Sequence, residues 1–437
     1  MTIMNYQETL EYLYNCLPVF HLIGSEAYKP GLDNTVRLME FLGNPHTKFR
    51  SIHVAGTNGK GSVSNFLAAI LQESGYKVGL YTSPHLVDFG ERIRINGLMI
   101  DENYVIDFIS RHTDVIETVK PSFFELTMAM AFSYFADNKV DIAVIEVGLG
   151  GRLDSTNIIN PELSIITNIG FDHVEFLGNT LPQIAYEKAG IIKKRVPVVV
   201  GEYLDETKPV FINKAAEMEA DIYFVEDSIP LPKFVRYEAN KMVFKHDNHE
   251  YSSDLIGQYQ LKNIATVLFA CDVINRSKSS IKVSSDAIFK GIENVCKITG
   301  LRGRWEILQN NPLIIADTGH NVPGIKVVVE QLKSHHYKSL RIIFGMVNDK
   351  DISGVLQLLP DNAIYYFTQA QVKRALSADE LKQKAEVFNL RGKVYHTIND
   401  AVNAAINESD TDDLILITGS NFVVGEALGV FSQHTSM

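Results

Sequence analysis

Residues 51–70 read SIHVAGTNGKGSVSNFLAAI. A mostly apolar run leads into Gly56-Thr57-Asn58-Gly59-Lys60-Gly61-Ser62. Apolar residues then recur at helical spacing as far as Gly75, which reads as a C-cap. Strand, glycine-rich loop and helix in succession predict a phosphate-binding loop. N–H groups at a helix N-terminus bind phosphate oxygens, and glycines let the backbone come close. In the usual pattern a hydroxyl residue directly follows the lysine; here Gly61 separates Lys60 from Ser62. Lys60 would neutralise the β- and γ-phosphates, and Ser62 would reach a magnesium ion. The plain alternative is a strand–helix turn with no ligand.

Outward from this loop, apolar runs alternate with helical patterns. "KVGLYTS", "VDIAVIEVG", "LSIITNIG" and "VPVVVG" read as strands, and "FFELTMAMAFSYFADN" as a helix with a thick apolar face. That alternation predicts an α/β fold with a mostly parallel sheet covered on both faces. Between about residues 205 and 255 the pattern weakens. "DIYFVED" and "EYSSDLIG" predict short strands, some antiparallel, before a helix at "LKNIATVLFACDVIN". "VCKITGLRGRWEIL" reads as a boundary, after which strands at "PLIIADT", "LRIIFGM", "AIYYFT", "KVYHT" and "DLILITG" restart the alternation. A hinge near residue 298 divides the chain into residues 1–297, carrying the loop, and 298–437, a smaller Rossmann-like α/β domain. A length of 437 residues supports more than one core. Internal repeats and low-complexity segments are absent.

With 46% apolar and 21% charged residues the composition is that of a soluble globular protein. A net charge of −11, from 41 basic and 52 acidic residues, argues against a nucleic-acid coat or an anionic membrane surface. It leaves anionic small molecules open, since local lysines and amides bind phosphate inside an acidic protein. Cys16, Cys271 and Cys296 lie far apart without metal-ligand spacing, which predicts buried thiols in a reducing cytoplasm. "MTIMNYQETLEYLYNCLPVF" lacks the layout of a secretory signal, and no run approaches the ~18 apolar residues of a membrane span.

"HVAGTNGKGSV", "YTSPHL", "ERIRING", "FFELTMAMAF", "VIEVGLGGRLDSTN", "TNIGFDHVEFLG", "IAYEKAGIIK" and "TGSNFVVGEAL" occur in that order over nearly the whole chain. Together they resemble the Mur ligase superfamily, in its folylpolyglutamate synthase and dihydrofolate synthase branch. The resemblance implies a Mur-like central domain followed by the Rossmann-like one. It also implies an ATP-dependent ligase that joins L-glutamate to dihydropteroate, to a reduced folate, or to both, through an acyl phosphate. Rival readings are another Mur-type ligase acting on a nucleotide-linked peptide precursor, a non-catalytic nucleotide-binding regulator, and a kinase. The resemblance makes the chain a monomer, with ATP and small-molecule substrates as its partners and neither nucleic acid nor membrane.

Ser83, Glu146 and His173 lie at or near the ends of strand patterns, where open α/β sheets place ligands. A carboxylate within an apolar strand is costly unless partnered, which singles out Glu146. Glu146 could instead cap a helix, and His173 alone reads as a hydrogen-bonded loop histidine. Asp172 is a weaker candidate that could cap the following helix. By resemblance Ser62, Ser83, Glu146 and His173 hold magnesium, two ions in the family, with a monovalent cation as a further candidate. Lys188 reads on its own as a solvated helix lysine; the resemblance makes it a carbamylated lysine.

On the substrate side, Ser83–Leu86 with Thr82 resembles a mobile loop near the pterin site. Ser122–Glu125 sets two aromatics beside a carboxylate. Phenylalanines can stack on a pterin and a carboxylate can accept its N–H donors. The residues alone favour core packing for Phe123 and Phe124 and a helix cap for Glu125. Arg152, Asp154 and Asn157 sit on a glycine-flanked loop suited to a polar ligand. By resemblance Ser122, Phe124, Glu125 and the segment from Arg152 through Leu153 and Asp154 to Ser155 face dihydropteroate. In the second half the resemblance assigns Asn263 to adenine, Arg304 to the phosphates, and Asp317 and His320 to the nucleotide. The block "DTGHNVPG" departs from the family's Asp-Gly-Ala-His-Asn-Pro, with its proline displaced by one. Read alone, Arg302 and Arg304 are alike solvated linker charges that the sequence does not tell apart, and Trp305 reads as packing at the domain junction.

Overall fold

The computed structural model describes residues 5–17, 31–348 and 350–434. The first sheet has eight strands: β1 (Arg50–Ala55), β2 (Val78–Tyr81), β3 (Ile93–Ile95), β4 (Leu98–Met99), β5 (Ile142–Glu146), β6 (Leu163–Ile166), β7 (Val198–Val200) and β8 (Ile222–Phe224). Their order is β4-β3-β2-β5-β1-β6-β7-β8. Pairing is parallel from β2 through β8, and only the β2–β3 and β3–β4 pairs are antiparallel. That two-strand edge, formed by "ERIRINGLM", is an addition to the expected parallel sheet.

Strand pleating explains the layering. Ile52, Val54, Ile142 and Val144 point to one face, where they pack with the Lys60–Glu73 and Gln260–Arg276 helices. Ala143 and Ile145 point to the other, against Leu126, Ala129 and Met130 of the Phe123–Asp137 helix. Both faces are covered, so the strands read as continuous apolar runs. The Lys60–Glu73 helix stops as expected. Gly75 is left-handed (φ 87°), its N–H bonds to the Gln72 carbonyl, and the Tyr76 N–H reaches back to that of Leu71, a Schellman cap.

A three-stranded antiparallel sheet follows: β9 (Lys233–Glu238), β10 (Lys241–His246) and β11 (His249–Ser253). The third sheet holds β12 (Glu306–Asn310), β13 (Leu313–Ala316), β14 (Leu340–Phe344), β15 (Ile364–Phe367), β16 (Arg391–Val394) and β17 (Leu414–Thr418) in the order β12-β13-β17-β14-β15-β16. All neighbours are parallel except β12 with β13. The strand expected at "KVYHT" begins earlier, at Arg391, and stops at Val394, because its pairing with β15 runs from Arg391 opposite Ile364 to Val394 opposite Phe367.

Trp305 is fully buried between the sheets. Its N–H donates to Asp317 Oδ2 and its indole Nε1–H to His335 Nε2. Cys271 is buried, whereas Cys296 is only half-buried, which corrects the expectation for that thiol. The Cys16 side chain and the first residues of the N-terminal stretch lie outside the described residues. Among the described residues no helix is long and apolar enough to cross a membrane.

Candidate active site

In the first sheet β1 lies between β5 and β6, so the chain leaves β1 toward one edge and later crosses it toward the other. Open α/β sheets bind ligands at such a switch point, beyond the carboxyl ends of the strands. Ala55, Glu146 and Ile166 are the last residues of these three strands. Here a cavity of about 790 Å³ opens, walled on the far side by residues of the C-terminal sheet region.

The loop 56–62 forms one wall. Gly56 (φ 148°) is irreplaceable on geometry, since a Cβ there would stand 1.8 Å from Thr167 Oγ1. At Gly59 (φ 83°) a Cβ would stand 2.3 Å from Asn263 Oδ1. The loop is tied down by Thr57 to Gly170, by the Asn58 N–H to Asn168 Oδ1, and by Thr167 Oγ1 to the Asn58 carbonyl. Lys60 opens the helix with its Nζ 3.1 Å from the carbonyls of both Gly56 and Thr57. No side chain caps this N-terminus, so its first N–H groups face the cavity. A Cβ on Gly61 would stand at ordinary contact distance from Glu146 Oε2 (3.7 Å) and Arg304 Nη2 (3.8 Å), which places this residue between the loop, the carboxylate and the guanidinium.

Glu146 ends β5 buried at 4% exposure, and Oε2 accepts the Ser83 N–H at 3.2 Å. Burial pushes its carboxyl up, opposed by Lys60, the Ser83 N–H, Arg304 and Arg92. Lys188, on the Leu181–Ala189 helix, is equally buried and donates to the Gly56 carbonyl at 2.8 Å. Burial first, and Lys60 second, bring it down from 10.5 to about 7. It is therefore no solvated helix lysine.

His173 adopts a left-handed backbone (φ 49°), and burial with Lys350 nearby lowers its ring to about 3. Lys350 Nζ lies 2.5 Å from Asp172 Oδ1 and 3.3 Å from His173 Nε2. Although burial opposes it, His320, His173 and Lys350 hold the Asp172 carboxyl well below the usual carboxylate range. Asn321 joins the two halves, exchanging amide hydrogen bonds with Asn58 and donating to Asp172 Oδ2. It also N-caps the Val322–Leu332 helix, with Pro323 in the first turn, so the displaced proline of "DTGHNVPG" still fits a helix start.

Among the other expected residues, Phe124 lines the cavity and rests on Gly148, whose imagined Cβ would be 2.4 Å from Phe124 Cζ. Leu153, Asp154 and Ser155 line it too. Ser122 and Glu125 border it, but their side chains form a capping box, and Glu125 Oε1 also accepts from Thr35. Arg152 is not among the lining residues. Its guanidinium turns out to Glu187 and over the Tyr186 ring, because Gly190 packs directly on its backbone. Asn157 is buried beneath the loop, donating to the carbonyls of Arg152 and Gly190. Asn263 donates to Gln260, and Asp317 accepts from Tyr259, Trp305 and Gly319. Lys350, Arg92 and Arg374 were not singled out from sequence, yet all three line the cavity.

Among the described residues no three His, Cys, Asp or Glu side chains make a ready metal cage. Magnesium asks for less, since it keeps waters and is held by one or two carboxylates plus substrate phosphates. Glu146, a buried carboxylate beside the hydroxyl residues Ser62 and Ser83, fits that requirement.

The Mur ligase middle domain family matches residues 54–271, and the Mur ligase glutamate ligase domain matches residues 303–421. The chain is 32% identical over 415 residues to the dihydrofolate synthase/folylpolyglutamate synthase of Bacillus subtilis, covering 91% of this chain and 94% of that one. It is similar to the structure of E. coli FolC in complex with DHPP and ADP (TM-score 0.83, 28% identity, 99% of each chain). The bifunctional folylpolyglutamate synthase/dihydrofolate synthase of Yersinia pestis, complexed with AMPPNP and Mn ion, is also similar (TM-score 0.81, 27% identity, 98% of each chain). The chain belongs to the folylpolyglutamate synthase/dihydrofolate synthase family of Mur ligases and is an ATP-dependent ligase.

Proposed function

We propose that the chain adds L-glutamate to dihydropteroate and to the glutamate tail of reduced folates. The observation that carries this reading is one cavity with a phosphate-binding loop, a buried carboxylate and a glycine-floored aromatic pocket on one wall, and the cations Lys350 and Arg374 on the other. The acceptor carboxylate attacks the γ-phosphorus, ADP leaves, and an acyl phosphate forms. The glutamate amine, after losing a proton, attacks the acyl carbon, and phosphate leaves. Catalysis is mainly positioning and charge neutralisation.

Lys60 and the helix N-terminus hold the β- and γ-phosphates, with Thr57, Asn58 and Gly59 shaping the loop. Asn263 stands at the adenine end, and Arg304 faces the phosphates beside Gly61. Asp317 and His320 act through the loop they brace. Ser62, Ser83 and Glu146 hold magnesium, which when bound supplies Lewis-acid charge neutralisation; His173 is neutral and so able to join them. Lys350 and Arg374 offer cations to the carboxylates of the incoming amino acid.

Lys188 is the site of carbamylation in this reading. A pKa of about 7 leaves the free amine well populated at neutral pH, and that is the form which adds to carbon dioxide, releasing one proton. We place the domain division near residue 298, in the last turn of the Val295–Thr299 helix that precedes β12. A cavity completed by one chain's own two halves supports a monomer, and the unpaired thiols of Cys271 and Cys296 support a reducing cytoplasm.

The test is to incubate the protein with ATP, magnesium and L-glutamate, adding dihydropteroate or tetrahydrofolate, and to follow ADP and product mass. ADP and a product one glutamate heavier are expected with both. ADP with one alone assigns a single activity, and none with either overturns the reading. Gly148→Ala tests the aromatic pocket. By pushing Phe124 off its floor it should raise KM for the pteridine substrate about tenfold and leave KM for ATP unchanged.

A further inference from the structure

Behind the Phe124 end of the cavity lies a polar chain that the chemistry above does not use. His53 occupies the middle of β1, in register with Ile145 on one side and Ser164 on the other, and is wholly buried. Its Nε2 lies 2.9 Å from Thr156 Oγ1. Its Nδ1 has no hydrogen-bond partner among the described residues. Thr156 Oγ1 donates in turn to Asp154 Oδ1 at 2.5 Å, and the Thr156 N–H reaches the same oxygen at 3.0 Å. The Leu149 N–H takes Oδ2 at 2.8 Å. Asp154 lines the cavity; His53 and Thr156 do not.

The chain has a direction. A hydroxyl has a single proton to give. If Thr156 gives its proton to Asp154, its oxygen accepts from His53, so the imidazole proton is on Nε2 and Nδ1 is the bare nitrogen. In the reverse chain a protonated Asp154 would donate to Thr156 and Thr156 to Nε2. The ring proton would then sit on Nδ1, a buried N–H without an acceptor, which is the rarer and costlier orphan. Burial, with Lys193 adding to it, lowers the ring to about 3, so only neutral tautomers compete. Burial also pushes the Asp154 carboxyl up, against the donors from Thr156 and Leu149. The Gly148 N–H opposes it as well, and Lys188 and Tyr81 face the same carboxyl.

We infer that His53 is a positioning residue: acting through Thr156, it keeps Asp154 ionised and oriented as an acceptor for the N–H donors of the pteridine. This rests on the folate reading of the pocket. The imidazole in the central strand thus selects a protonation state one residue away from itself.

The experiment compares His53→Phe, Thr156→Val and His53→Gln with the unaltered protein. Dihydropteroate binding is measured in the presence of MgADP from about pH 5 to 9, and ADP affinity separately. His53→Phe and Thr156→Val should each weaken dihydropteroate about tenfold. Their acid limb should move to higher pH, because Thr156→Val removes the hydroxyl that opposes protonation of Asp154 and His53→Phe leaves that hydroxyl free to accept from a protonated carboxyl instead. ADP affinity should not change. His53→Gln keeps an N–H where Nε2 stood and should recover binding to within about threefold. Unshifted binding and acid limb in the Phe and Val variants would overturn the inference. So would a Gln variant as weak as Phe, since packing alone would then explain the loss. If the unaltered protein binds ADP but not dihydropteroate at any pH, the folate reading itself falls, a result distinguishable from either.

Discussion

Replacing Lys60 with methionine is expected to lower the rate of ADP formation by about 10²–10³-fold while leaving the fold intact. The Nζ is anchored by the carbonyls of Gly56 and Thr57, acceptors that belong to the loop itself, so it is held where the loop meets the cavity. Losing two part-buried hydrogen bonds within the loop changes stability little, because the loop is also tied by Thr57, Asn58 and Thr167. What is lost is a fixed positive charge beside the transferring phosphoryl group. Lys60→Arg keeps the charge but trades a compact ammonium for a planar fork, and should recover only part of the rate. ADP release and the thermal midpoint, measured on the same preparations, check this. Full turnover in the methionine variant would remove the loop from the chemistry.

The loop was readable because its signal is local: strand, glycines, lysine and helix are consecutive, and Gly56 and Gly59 each answer to a neighbour a side chain would strike. The parallel sheets were readable for the same reason, since strands buried on both faces are apolar throughout. Strand order was not, because nothing in "AVIEVG" says that β5 will lie beside β1. The β3–β4 edge escaped because strands of three and two residues carry no periodicity. For Glu125 the residues themselves pointed correctly to a cap, as Ser-x-x-Glu at a helix start is a capping box. Lys350 was hidden for a different reason. In "NDKD" it looks like a solvated loop charge, and only the approach of the C-terminal half to Asp172 and His173 makes it part of the site. The same holds for Arg152 in reverse: its loop lies at the site, but backbone packing on Gly190 turns its side chain away.

Lys188→Met should cost about a hundredfold or more in turnover and yet make the protein more stable at acidic pH. The amine titrates at 10.5 when exposed and at about 7 in the fold. Below about pH 7 both states carry the proton, and the folded state bears the full cost of a buried charge, at most about 5 kcal/mol for that difference. Between about pH 7 and 10.5 the unfolded chain binds the extra proton, so the stability of the native protein rises with pH. Above 10.5 the cost is gone, and the hydrogen bond to the Gly56 carbonyl is all that Lys188 contributes, about 1 kcal/mol. Methionine removes both terms. It should therefore stabilise near pH 6, destabilise slightly near pH 10.5, and cross over between them. Urea unfolding in carbon-dioxide-free buffer at several pH values reads this directly, because a carbamate would replace the titrating amine with a fixed anion. A stability difference that does not vary with pH would mean that Lys188 is not the depressed, buried amine on which both its chemistry and its modification depend.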